Sequence, residues 1–116
     1  MNNLNNRFDT IITSLEGDEA LLSELAIPVA ERYELTANQI MLLAENEHFS
    51  ELIKLVHKLK STWSLYVDEV NNLPEQLENA AKKNNTETVL ILSNTVVNAL
   101  KQTALELRAW VENYKK

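Results

Sequence analysis

An all-α fold, an antiparallel four-helix bundle with a short extra N-terminal helix, is what this sequence predicts, and three observations predict it. Apolar residues recur at helical spacing through nearly the whole chain. Glycine occurs once and proline twice in 116 residues, too little turn chemistry for a many-turned β fold. The polar connections between the apolar stripes are short, which sets neighbouring helices antiparallel.

The elements follow in order. Leu4, Phe8, Ile11, Ile12 and Leu15 give a first helix over about residues 3–15. Gly17 ends it, because glycine accepts the left-handed conformation after a helix. Asp18 caps the second helix, and Glu19 adds negative charge to its first turn. Leu22, Leu25, Val29, Tyr33, Ile40 and Leu43 carry that helix to about Glu45. Pro28 inside it removes a backbone donor and predicts a kink near Ile27 or a split there. Residues 46–50 are the next connection. Leu52, Ile53, Val56, Leu59 and Trp63 then make one face of a third helix.

Residues 65–72 are less regular and predict a turn. Asn71 or Asn72 caps a fourth helix with Pro74 in its first turn, where proline is tolerated. Leu73, Leu77, Ala80 and Ala81 are its apolar side, and residues 82–85 end it. Thr86 caps the last helix. Its stripe runs from Val89 through Leu92, Val96, Leu100, Ala104, Leu107, Trp110 and Val111 to Tyr114, and Lys115 and Lys116 suit its C-terminal end. Each helix has one apolar stripe and is unstable alone. With no repeat or low-complexity tract, residues 1–116 read as a single domain, long enough to bury a core without staples.

Composition excludes several functions. There is no cysteine, so disulfides, thiol catalysis and Cys-type zinc sites are out. A single glycine builds neither a Walker loop nor a Rossmann fingerprint. The net charge of −6 argues against nucleic acid as a partner. No apolar run reaches the roughly 18–20 residues that span a bilayer, and the N-terminus lacks a signal-peptide apolar region. The expectation is a cytoplasmic protein that engages no membrane.

His57 stands out. At ~100° per residue it falls off the apolar face of the third helix. Lys54 and Ser61 flank it on the outer side, and Lys60 lies between it and the core. A neutral imidazole nitrogen is nucleophilic near neutral pH and can carry a transferable phosphoryl group. Nearby Lys60, Lys58 or Lys54 can neutralise phosphoryl oxygens. Exposed helix histidines without a role are also common. The lysines are either a solvated face or a positive patch that meets an acidic partner, and Leu55 is either a docking patch beside His57 or core edge. His48, beside Glu45 and Glu47, lacks metal-ligand spacing, so no metal site is expected. Trp63 and Trp110 fit apolar stripes and read as core.

The string His57-Lys58-Leu59-Lys60-Ser61-Thr62 resembles the His-x-Leu-Lys-Gly-Ser signature of histidine-containing phosphotransfer (HPt) domains. Residues 15–22 look like the family's start of the helix before the histidine helix. Leu73, Leu77-Glu78 and residues 81–84 look like its next helix. The resemblance implies that His57 is phosphorylated, that Lys60 stabilises the phosphoryl group, and that Glu78 lies near a position where many members place Gln or Glu close to the histidine. It implies a phosphorelay intermediate of two-component signalling. His57 accepts a phosphoryl group from a receiver-domain aspartate and passes it to another receiver. The implied partners are response-regulator receiver domains and hybrid sensor kinases. Mg²⁺ is expected on the partner receiver, with no cofactor bound by this domain and no autonomous kinase activity. A monomer is the simplest expectation. Ser61 stands where the family usually has Gly, and Trp63 where it tends to be small. Ser61 can crowd docking, or can hydrogen-bond the ring or the phosphoryl group. The alternative is a transfer-inactive HPt-like module that binds a receiver or other signalling partner. A third reading is a helical adaptor unrelated to phosphate.

Overall fold

The computed structural model describes residues 8–68 and 71–115; Leu4 and Lys116 of the expected stripe and terminus lie outside them. The helices are α1 (Asp9–Ser14), α2 (Glu19–Glu45), α3 (Phe49–Tyr66), α4 (Leu73–Lys82) and α5 (Thr86–Lys115). They form the expected all-α bundle: four longer helices preceded by a short one. The 30 residues of α5 measure ~45 Å at 1.5 Å per residue, which accounts for the 46 Å length of the molecule.

The bundle is uneven. α2 packs chiefly on α5, α3 chiefly on α4, and α4 closes onto α5. Among the buried residues of α2, Ala26, Ala30, Tyr33, Ala37, Ile40 and Ala44 are heptad-spaced, and most of them are alanine. On α5 the buried Val89, Ser93, Val96, Leu100, Thr103, Leu107 and Trp110 keep the same alternation of four and three. Such spacing makes a coiled-coil seam, and alanine on one side lets the backbones approach closely. The pair runs antiparallel. Thr86 Oγ1, at the start of α5, donates to Glu47 Oε1 beyond the end of α2 at 3.2 Å. Further along, Arg108 clamps Glu34 through Nη2 at 2.7 Å and Nε at 3.3 Å.

Several local expectations are corrected. Of the kink or split expected at Pro28, the split does not occur: α2 is continuous through it. Leu25 is exposed, and the buried position is Ala26. α3 begins at Phe49 and continues through Leu65 and Tyr66. Tyr66 is buried there, edge-on to Tyr33 at 6.2 Å, and the Tyr33 hydroxyl lies 2.8 Å from Thr62 Oγ1. Asn72 caps α4, its Oδ1 accepting from Glu75 N at 3.3 Å. Asn85 rather than Thr86 caps α5, accepting from Thr88 N at 3.3 Å. Thr86 is already helical, which frees its hydroxyl for Glu47. Tyr114 is partly exposed and stacks on Trp110 at 5.3 Å.

Three helices end alike. Glu16, Glu47 and Asn84 have φ of 58°, 56° and 54°. Each is followed by a residue whose N–H reaches back five positions: Gly17 to Ile12, His48 to Leu43, and Asn85 to Ala80. These are Schellman endings. Gly17 also has positive φ, at 79°, but the left-handed residue that ends α1 is Glu16. Asp18 then caps α2, accepting from Leu21 N at 3.0 Å. Among the described residues, no helix is long and apolar enough to cross a membrane.

Candidate functional site

The site forms where α3 meets α4. α3 buries Leu52, Val56, Leu59 and Trp63, which turns His57 outward on the side nearest α4. α4 buries Leu77 and Ala81, which carries the intervening Glu78 into the α3–α4 contact. The His57 side chain is 68% exposed, whereas Glu78 is only 6% exposed.

A buried carboxylate requires compensating donors, and Glu78 has three. His57 Nδ1 lies 3.1 Å from Glu78 Oε1. Lys60 Nζ lies 3.3 Å from Oε1 and 3.4 Å from Oε2. Lys82 Nζ lies 3.5 Å from Oε2. Burial pushes the Glu78 carboxyl up. Hydrogen bonds from His57 and Lys60, with the charges of Lys60 and Lys82, outweigh it and hold the group below its ordinary value. Glu78 is therefore an anion in the folded chain near neutral pH.

An anion beside Nδ1 fixes the histidine tautomer. A carboxylate only accepts, so neutral His57 keeps its proton on Nδ1 and its lone pair on Nε2. The arrangement presents a nucleophilic nitrogen on an exposed ring, with two ammonium groups anchored to the same carboxylate. It suits attack on an electron-poor centre that bears anionic oxygens.

The structure thus brings together three of the residues expected at the site: His57, Lys60 and Glu78. Lys54, Lys58 and Leu55 stand apart from this cluster. With Gln39, Leu42 and Leu43 they line a cleft of about 340 Å³ between α2 and α3. Leu55 is half-buried against the core, as the core-edge reading expects, and also lines this cleft. Ser61 is exposed, and its hydroxyl donates to the Lys58 carbonyl at 3.0 Å, not to the histidine ring. Trp63 is buried in the core and donates from Nε1 to the Asn71 carbonyl at 2.7 Å. His48 Nδ1 lies 4.0 Å from Glu51 Oε2 on the surface. Among the described residues, no three His, Cys, Asp or Glu side chains are grouped to hold a metal ion.

Lys82 was absent from the sequence-based site. Its signal was the spacing Glu78–Lys82, an i,i+4 acid–base pair on one helix, which reads as ordinary surface pairing until Glu78 is known to face His57.

Comparison with protein-family models, with curated proteins and with solved structures found no match to this chain.

Proposed function

We propose that this chain is a histidine phosphotransfer module of the HPt type. It receives a phosphoryl group on His57 from the aspartyl phosphate of a receiver domain and delivers it to the aspartate of another. The observation that carries this reading is the contact between exposed His57 Nδ1 and buried Glu78 at 3.1 Å. It leaves Nε2 as the free nucleophilic nitrogen.

In the proposed step the Nε2 lone pair attacks phosphorus in line. The P–O bond to the receiver aspartate breaks, and its electron pair leaves with the restored carboxylate. The Nδ1 proton stays shared with Glu78 and offsets charge on the phosphorylated ring. Lys60 and Lys82, both held at Glu78, are the cations that neutralise the phosphoryl oxygens in this step. The receiver supplies Mg²⁺, and the reverse step regenerates neutral His57. Lys54 and Lys58 add positive charge to the rest of the exposed face of α3, where an acidic receiver pocket would be steered. The outward-facing Ser61, with its hydroxyl returned to the helix backbone, favours transfer over the inactive module.

The test is incubation with receiver domains carrying radiolabelled phosphate. Label that is acid-labile and alkali-stable should appear on the wild-type chain and be missing from His57→Gln at unchanged helix content. Equal labelling of that variant rejects the reading.

A further inference from the structure

We propose that a second cleft between α2 and α3 binds a small phosphate monoester, at a site separate from the His57 cluster and independent of phosphotransfer. The cleft holds about 310 Å³, at the small end of ligand sites, which run from about 300 to 1,000 Å³. Arg32 of α2 and Lys58 of α3 line it together, and no acidic residue does. On a chain with 17 acidic and 11 basic residues, that is a local reversal of sign. Two like charges facing one cleft repel each other until an anion comes between them. Neither forms an ion pair with a described residue. No residue three or four places from Arg32 or Lys58 on its own helix is acidic, so neither has an intrahelical partner. The acids nearest Arg32 in the chain are turned to α5. Glu34 accepts from Arg108 Nη2 at 2.7 Å, and Glu31 acts on the same guanidinium. Glu51 shares the neighbouring cleft with Lys58. It lies ~10 Å back along α3 at 1.5 Å per residue, with its carboxylate 4.0 Å from His48.

The walls select the ligand. The Arg32 guanidinium offers a planar fork that matches phosphate, and Lys58 adds a point charge. A carboxylate needs only one such partner. A phosphate monoester carries about −1.5 to −2 charge and three acceptor oxygens, and uses both. Hydroxyls supply further donors. The Tyr33 and Thr62 hydroxyls lie 2.8 Å apart; with Tyr33 donating, the Thr62 proton is left for a ligand oxygen. Thr36 adds a second hydroxyl to the lining, whereas that of Ser61 is engaged by the Lys58 carbonyl. Leu55 and Leu59 make the wall partly apolar, which suits the organic half of an ester better than free phosphate. On the His57 side, by contrast, an unattached anion must compete with Glu78 for Lys60 and Lys82.

The probe is phenyl phosphate, titrated into the full unphosphorylated chain at ~0.15 M salt, where isolated surface charges are screened, and followed by ¹H–¹⁵N NMR. One saturable site is expected, with shifts centred on residues 32–36 and 55–62. Arg32→Gln with Lys58→Gln should weaken binding by about tenfold or more at unchanged helix content, whereas Lys58→Arg, which keeps the charge, should retain it. Inorganic phosphate and benzoate should bind more weakly, and phenol not at all. His57→Gln should bind phenyl phosphate as wild type, so failure here and failure of phosphotransfer are independent. The proposal is overturned if the shifts do not saturate, if they centre on residues 75–82 of α4, or if the double glutamine variant binds as tightly. Equal binding of phenol or benzoate overturns it too, because the cleft would then not be reading a phosphate. Equal binding of inorganic phosphate overturns the assignment to a monoester.

Discussion

Glu78 Oε1 lies 3.1 Å from His57 Nδ1 and 3.3 Å from Lys60 Nζ. One buried carboxylate on α4 therefore organises both α3 residues on which the proposed chemistry depends. Its removal should be felt first in the histidine tautomer. In Glu78→Ala, ¹⁵N spectra of the neutral ring should show the Nε2–H form growing at the expense of Nδ1–H. A charge-assisted hydrogen bond contributes about 1.5–3 kcal/mol, so transfer should slow by about ten- to hundredfold. Glu78→Gln, which keeps an acceptor in place, should retain the tautomer and lose less. An unchanged ring spectrum in the alanine variant would detach Glu78 from His57.

The two lysines should separate by their roles. Lys60 is held by Glu78 and is 27% exposed, while Lys82 is 57% exposed and joins the same carboxylate at 3.5 Å. If both share the phosphoryl oxygens, Lys60→Ala and Lys82→Ala each shorten the phosphohistidine lifetime, and Lys60→Ala does so more. The double variant should show less than the product of the single effects, because the cations act on one group. Decay kinetics of isolated labelled protein decide this; equal lifetimes in all variants would exclude the lysines.

Acid should destabilise the fold partly through Glu78. Its carboxyl is held below the ordinary value in the folded chain, so the unfolded chain takes up the proton first as pH falls. The stabilisation is complete above the ordinary carboxylate range and is lost as pH drops through the folded value. Urea unfolding across that range should give a flatter acid limb for Glu78→Gln than for wild type. Parallel limbs would mean that the carboxylate makes no difference to folding.

Ser93 lies in the α2–α5 seam with its hydroxyl buried and, among the described residues, without a hydrogen-bond partner. An unsatisfied buried hydroxyl costs about 1–3 kcal/mol. Ser93→Ala should therefore raise the unfolding free energy by about 1 kcal/mol, read as a higher urea midpoint at constant slope. Destabilisation by that variant would show that the hydroxyl is satisfied in solution.

The bundle was legible because periodicity and sparse turn residues act locally and agree. The caps at Asp18 and Asn72 could be read for the same reason. Errors fell where tertiary packing chose among residues of similar propensity. Alanines 26, 30, 37 and 44 form the buried seam of α2, whereas a reading weighted toward large residues takes Leu25. Tyr66 extends α3 because Tyr33 receives it, a contact no local pattern reveals. At the site, His57 and Lys60 share one helix and were visible together. The coupling of Glu78 and Lys82 to them depends on how α4 lies against α3, which spacing alone does not fix.

The proposed relay requires that His57 carry a transferable phosphoryl group on Nε2. The most direct measurement is ³¹P–¹⁵N NMR of histidine-labelled protein after incubation with phosphorylated receiver, kept at alkaline pH where phosphohistidine persists. A single phosphorus coupled to the Nε2 of His57, and lost when unphosphorylated receiver is added back, is the predicted result. Phosphorus on His48, on a non-histidine residue or on no residue would contradict it.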